Sequence, residues 1–551
     1  MSSVEVGEEP QAGSASSAGV FARESTGLVR EVSPVDAAIV GASNAPLGQF
    51  VVFSIPVGLG LFAAASAGWI VAAVVISAAF TIPTLVNYAA LSSAMPRSGG
   101  DYVFATRLLK PWLGFASNFT LALWQVFAAG AWAALVVPAM LAPLVSILGE
   151  LLGSSTLIDL SSTIQERGWH IAIAIVLIAA ISLMLSTGTQ RTLRINSVFW
   201  CIGMIAMTLL IGILLFTSRE GFTATFENYA GQPGAYQQVI SDAAAAGFAE
   251  RSGLLMLWGL VALTMGVFGV FFWMTYFSGE IKQARSWKRE LGMMFSPLAI
   301  NFVYVLLITL VMLKTFGFKF LGSVMYLSFV DPEKLPGAVS AGPPVFLTGL
   351  TAGNDVLATL FALTFAAWAW VLLTCLLIMP VRCAFAWSLD QILPSSLVRV
   401  SPRWGTPIAL TIAVAAMAMV VAVIGVYNDK VFQIFAAAVL ASSWFSAAIG
   451  GLAAAAFPYR MRDLYRQQPI ARVKIFGAPV LVVTGVVGFL FTTFWCLAYA
   501  RFPDEFGMTT WLAITVLSPF FIGIAIFFAA RAYRLSRGIP IDLAFKQIPP
   551  E

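Results

Sequence analysis

The chain alternates long apolar runs with short polar segments, and the runs have the length of membrane spans. A spanning helix needs about 20 largely apolar residues. Twelve runs meet that length: 34–59, 69–95, 112–146, 169–187, 195–217, 253–279, 293–316, 354–380, 407–427, 431–457, 475–500 and 508–533. They are continuously apolar rather than alternating, so they predict helices and not barrel strands. The third run is long enough for a span plus an outer extension, and Pro138 and Pro143 predict an early end to it. Residues 1–33 are rich in Ser, Gly, Ala and Glu and read as a disordered cytoplasmic tail. They do not read as a signal peptide, because the first apolar run starts at Pro34, behind an acidic stretch.

Composition agrees. Of 551 residues, 59% are hydrophobic and 10% charged, against about a quarter charged in a soluble domain. Such a chain needs lipid as its main solvent, which excludes a disordered protein, a cytosolic enzyme and a nucleic-acid binder. One histidine, His170, and four scattered cysteines without a CxxC pair give no ligand set for a metal, and no cofactor is expected. No P-loop, HExxH or GxSxG motif occurs, which argues against an enzyme, and no charged ring or repeated filter suggests a channel.

Charge orients the spans. With the N-terminus inside, 23 of the 31 Lys and Arg residues fall on inner segments and 8 on outer ones. That bias predicts a multi-pass protein of the cell membrane with both termini cytoplasmic, residues 534–551 forming a C-terminal tail.

Irregular backbone survives in a membrane only beside protein or a watery cavity. The first span holds Gly41-Ala42-Ser43-Asn44-Ala45-Pro46-Leu47-Gly48, and the sixth holds Met265-Gly266-Val267-Phe268-Gly269. These breakers occupy corresponding places in two successive five-span halves, 34–217 and 253–457. Broken segments so placed point to a midplane binding site between inverted repeats. Free N–H groups at the half-helix ends suit a carboxylate.

Three motifs carry a resemblance. Pro96, Ser98, Gly99, Gly100 and Tyr102, followed by Gly114-Phe115, resemble the P-x-S-G-G-x-Y loop of the amino acid–polyamine–organocation permeases. Arg382, Phe385, Asp390, Leu393-Pro394, Arg403 and Gly405-Thr406-Pro407 resemble that family's loop between the eighth and ninth helices. Gly279-Glu280-Ile281-Lys282 is similar to the segment after helix six, with Gln283-Ala284 where the family usually has Asn-Pro. The resemblance implies an all-α polytopic membrane protein of about 12 spans: a five-plus-five inverted repeat with broken helices one and six, plus two added helices over 475–533. It implies a secondary transporter of amino acids whose substrate lies against Ser43, Asn44, Ala45, Pro46, Leu47 and Gly48 and against Met265, Gly266, Val267, Phe268 and Gly269. In detail the chain departs from the family, with Ser43-Asn44-Ala45-Pro46-Leu47-Gly48 in place of a G-S-G run and Phe271-Phe272 where many members have a Glu.

Arg382 and Asp390 lie eight apart at the inner end of the eighth span and are expected to form a gate ion pair. No Asp or Glu lies deep in any span, since Asp36, Glu280 and Asp355 sit near ends. A cationic substrate would need such a carboxylate, so neutral or apolar amino acids are expected; Trp124, Phe268, Trp368, Trp370 and Trp444 are candidates to wall such a pocket, although packing filler or lipid contact is the commoner role for any one of them. Another small organic solute, such as a polyamine, a nucleobase or a related amine, and uncoupled amino acid exchange are the alternatives. Thr374 is the one candidate hydroxyl for a sodium site, and no residue stands out as a proton carrier. The partners expected are a small-molecule substrate and the lipid bilayer, with no nucleic acid; coupling ion and oligomeric state are not assigned.

Overall fold

The computed structural model describes residues 28, 30–43, 47, 55–62, 66–282, 284–336, 339, 347, 350, 355–428, 430–546 and 548. Among them, ten helices are long and apolar enough to cross a membrane. They coincide with ten of the twelve runs. The tenth run is the helix Lys430–Arg460, and the first is described as two shorter helices, Pro34–Ser43 and Ile55–Phe62. The chain is an all-α polytopic membrane protein. The one sheet among the described residues is a two-stranded hairpin, Lys474–Ile475 with Ala478–Pro479, which delays the eleventh span to Val480–Arg501.

Burial separates inner from outer helices. The apolar window of Ala367–Leu389 in the eighth span is 89% buried, and those of Pro111–Ser146 and Leu254–Tyr276 are 71% and 67% buried. The window of Thr510–Ser536 is only 28% buried. The third, sixth and eighth spans therefore make the core, while the last span shows lipid a face carrying Ile514, Leu517 and Phe521. In a membrane such exposure carries no penalty, because the solvent is itself apolar.

Pro138 does not end the third span. The helix Pro111–Val136 passes through a π turn, Val137–Leu141, into a further helix, Ala142–Leu152. A proline lacks the N–H that would satisfy the carbonyl four residues back, here Ala134. His170 of the fourth span supplies the missing donor, its Nε2 lying 2.7 Å from Ala134 O. The only histidine of the chain is thus spent on a helix defect.

Two short helices without a counterpart among the apolar runs, Arg219–Ala230 and Ala235–Ala245, follow the fifth span. They pack on Phe318–Val330 through an aromatic cluster in which Tyr236 stacks on Phe320 at 4.3 Å. Arg219, Arg251, Lys314 and Lys319 all lie at this end of the bundle, bonded to backbone carbonyls or to Glu505 and Glu250. The segments rich in Lys and Arg meet at the other end.

Candidate functional site

The sixth span is broken where its glycines predict. Its α-helix Leu254–Phe268 closes with Gly269 N–H donating to Met265 C=O at 2.8 Å. The chain then tightens into a 3₁₀ helix, Phe271–Tyr276, in which i→i−3 bonds replace the α pattern. Gly266 lies inside the regular helix, so the break belongs to Gly269 and not to the pair. The second span holds this region in place: Ser77 Oγ lies 2.6 Å from Thr264 Oγ1, and Thr81 Oγ1 points at Met265 Sδ at 3.7 Å.

A small cavity opens beside the break, bordered by Thr81, Met265, Gly269, Phe491, Thr492 and Trp495 among others. Its solvent space of about 10 Å³ has room for roughly one water. Of the expected site residues on this span, Met265 and Gly269 line it, while Val267 and Phe268 are buried elsewhere in the packing.

In the first span, Ser43 is buried and receives Asn196 Nδ2 of the fifth span at 3.1 Å, while its own hydroxyl donates to Ile39 C=O at 2.7 Å. Leu47 is fully buried. Asn44, Ala45, Pro46 and Gly48 lie outside the described residues. The helix Pro34–Ser43 approaches the sixth span closely: a Cβ on Gly41 would stand 3.5 Å from Phe271 O and 3.8 Å from Met274 Sδ. The first helix of the first span and the broken sixth span are therefore neighbours.

Of the candidate wall aromatics, none of those described borders this cavity. Trp124 donates Nε1 to Val516 C=O of the last span at 3.1 Å. Trp370 stacks on Phe199, and Trp368 fills the space beside Gly203, so both face the fifth span. Phe268 packs near Phe302, and the side chain of Trp444 lies outside the described residues. Phe80, Phe491 and Trp495 border the cavity instead. The last two come from an added C-terminal span, a placement no local pattern reveals. Thr374 donates its hydroxyl to Trp370 C=O of its own helix at 3.0 Å.

At the basic end, the loop motif closes on the broken span. Gly99 and Gly100 have φ of +105° and +54°, values that side chains rarely adopt. A Cβ on Gly99 would also stand 2.6 Å from Ala386 Cβ. The turn lets Gly99 N–H reach Tyr276 C=O at 2.9 Å, and Ser98 forms an antiparallel bridge with Phe277. On the far side of the same segment, Val32 N–H donates to Glu280 C=O and Lys282 N–H to Val32 C=O, each at 3.0 Å. Pro96 C=O accepts from Arg97 Nη1 at 3.1 Å.

The gate charges pair differently from their spacing. Arg382 binds Glu280, with Nε to Oε1 at 2.6 Å and Nη2 to Oε2 at 3.0 Å, and donates to Thr189 Oγ1 at 2.6 Å. Asp390 binds Arg107 at 2.7 Å, both side chains fully buried, and accepts from Tyr102 OH at 2.7 Å. The expected Arg382–Asp390 pair is not formed. Eight residues of helix turn the two side chains about 80° apart at 100° per residue, so each meets a charge from another element. The C-terminal residues 541–546 close over the second pair: Phe545 lies under the Arg107 guanidinium, and Ile541 and Ala544 are fully buried.

Two acids that the linear pattern places in or beside loops are buried. Asp101, just after the glycine turn, is 1% exposed. Burial pushes its carboxyl from the ordinary 3.8 up to about 7, against the lowering effect of hydrogen bonds from Tyr276 and Asn118. Glu290 is also buried, beside Ser92. The sequence signal for Asp101 was a carboxylate wedged between a double glycine and Tyr102, a position where a solvated charge would need no such turn.

A family model described as amino acid permease matches residues 38–527, most of the chain and all but the ends of its membrane region. No curated protein matches it.

Proposed function

Since the chain belongs to the amino acid permease family, a family of transporters, we propose that it carries neutral or apolar amino acids across the cell membrane by alternating access. The observation that supports this reading is the broken sixth span, whose Gly269 borders a cavity with no charged lining residue. Backbone groups freed at a helix break bind the charged ends of an amino acid without a charged side chain, N–H groups taking the carboxylate and C=O groups the ammonium; Gly269 N–H itself is taken by Met265 C=O. The apolar and hydroxyl lining suits an uncharged side chain and offers nothing to a second ammonium. Ser43 and Leu47, with Asn44, Ala45, Pro46 and Gly48, supply the first-span half of the site in this reading, and Met265, Gly266, Val267, Phe268 and Gly269 the other half.

A cavity that admits one water must widen before it admits an amino acid. The inner end supplies the gate for that motion: Gly99–Tyr276, Val32–Glu280, Arg382–Glu280 and Arg107–Asp390 together tie the first, second, sixth and eighth spans. The excess of Lys and Arg at this end supports a cytoplasmic position for it and for both termini.

The test is counterflow in liposomes loaded with unlabelled amino acid and challenged with labelled L-alanine, L-leucine, L-phenylalanine, L-lysine and putrescine. Exchange of the neutral compounds alone is expected. Exchange of L-lysine or putrescine in their place would overturn the substrate class.

A further inference from the structure

Asp101 opens the short helix Asp101–Leu108 between the second and third spans, yet its carboxylate faces the protein interior. It accepts hydrogen bonds from three other elements. Tyr276 OH of the 3₁₀ segment after the sixth-span break reaches Oδ1 at 2.6 Å. Asn118 Nδ2 of the third span reaches the same oxygen at 2.8 Å, and Ser446 Oγ of the tenth span binds Oδ2. The eighth span fixes the amide, because Trp387 Nε1 donates to Asn118 Oδ1 at 2.8 Å and so turns Nδ2 toward Asp101.

No Lys or Arg pairs with this carboxylate among the described residues. The titratable groups facing it are Tyr88 of the second span, Tyr276 and Cys383 of the eighth span. On its own helix, the charge of Arg107 is taken up by Asp390. A buried carboxylate without a counter-ion stands between opposing effects: desolvation favours the neutral acid, and three donors favour the anion. Such a group changes its proton near neutral pH, while a solvated aspartate does not.

Protonation has a defined mechanical consequence here. The anion can accept from three donors at once. The neutral acid carries its own O–H, so one donor loses its acceptor or must turn. Asn118 cannot turn without breaking its bond with Trp387, so the change falls on the hydroxyls of Tyr276 and Ser446. Tyr276 also holds the glycine turn, its backbone C=O accepting from Gly99 N–H, so a shift of the residue on loss of its hydroxyl bond is passed to the joint between the broken span and the loop after the second span.

We propose that Asp101 is the proton-binding site that couples proton movement to transport, its protonation freeing Tyr276 and with it the inner part of the sixth span. This rests on the reading of the chain as an amino acid transporter. Glu290 is the other buried acid here without a cationic partner among the described residues, but its hydrogen-bond partner is Ser92 alone, against the three donors of Asp101.

The experiment uses the full chain in liposomes with labelled L-alanine, L-leucine and L-phenylalanine, measuring counterflow and uptake driven by an acidic exterior. Wild type should show severalfold stimulation of uptake by the gradient. Asp101→Asn should lose that stimulation while still catalysing counterflow. Tyr276→Phe removes one donor to the anion and should raise the pH midpoint of stimulated uptake by about one unit, a shift that a purely structural tyrosine would not cause. Gradient stimulation intact in Asp101→Asn, or lost in Glu290→Gln and kept in Asp101→Asn, overturns the proposal. An unmoved midpoint in Tyr276→Phe overturns it even where Asp101→Asn fails to fold. Wild-type counterflow without gradient stimulation defeats the coupling alone, whereas absence of counterflow for every compound defeats the transport reading.

Discussion

Arg382 closes on Glu280 and not on Asp390, with a guanidinium-to-carboxylate distance of 2.6 Å between side chains no more than 3% exposed. Glu280 follows the broken sixth span, so the eighth span grips that segment by its charge. Opening the inner end must break this pair or carry both members together.

Removing one member leaves the other charged and buried, which costs about 3–5 kcal/mol. Arg382→Ala and Glu280→Ala should each lower the melting temperature of the purified protein sharply. The double variant should be less destabilised than the sum of the two. Additive losses in a double-mutant cycle would show that the pair acts as two independent charges.

Gly99→Ala should cost about 1–3 kcal/mol, because its Cβ would overlap Ala386 in a backbone region unfavourable to alanine. Transport should fall with it, since the turn carries the Gly99–Tyr276 bond. Thermal melting compared with Gly212→Ala, where a Cβ meets open space, checks that the effect is local; equal melting of the two variants would contradict it.

His170 caps the carbonyl that Pro138 leaves without a helical donor. His170→Phe should cost about 1–3 kcal/mol by orphaning Ala134 C=O, and His170→Gln should recover part of that. Pro138→Ala restores the missing N–H, so it should make His170→Phe milder. A His170→Phe penalty unchanged by Pro138→Ala would detach the histidine from the proline.

Asp101 gives stability a pH dependence of definite sign. Its carboxyl is raised from 3.8 to about 7 in the folded chain, so between those values the folded chain holds a proton that the unfolded chain has released. The stabilisation is complete below 3.8 and is lost as pH rises through about 7. The melting temperature of wild type relative to Asp101→Asn should therefore decline from pH 5 to pH 8. A difference that stays flat or grows with pH would contradict the raised value.

Filling the cavity at the break should block binding without adding charge. Gly269→Leu places a bulky side chain where Gly269 meets Met265 and Thr492. Counterflow of every labelled amino acid should be lost while the protein still elutes as a single species. Unchanged counterflow in that variant would move the substrate site elsewhere.

The sequence by itself determined the solvent, the spans and the break. Apolar runs of spanning length have one stable outcome in lipid, because every backbone polar group must be satisfied within its own helix. Glycine at 269 and glycines at 99 and 100 are local statements about backbone, legible without a partner. What the fold decided was which distant groups meet. Spacing suggested an Arg382–Asp390 pair, but a side chain's direction around its helix sent each charge to a different element. Position in the chain puts Asp101 in a loop between two spans, but packing by four other elements covers it. Trp124, Trp368 and Trp370, candidates for a pocket wall, pack on neighbouring helices, and the cavity took Phe491 and Trp495 from a span outside the two repeat halves. Periodicity and backbone preference act over a few residues, whereas the charge a buried group carries depends on donors up to 345 positions away, as between Ser446 and Asp101, and only the closed fold brings them together.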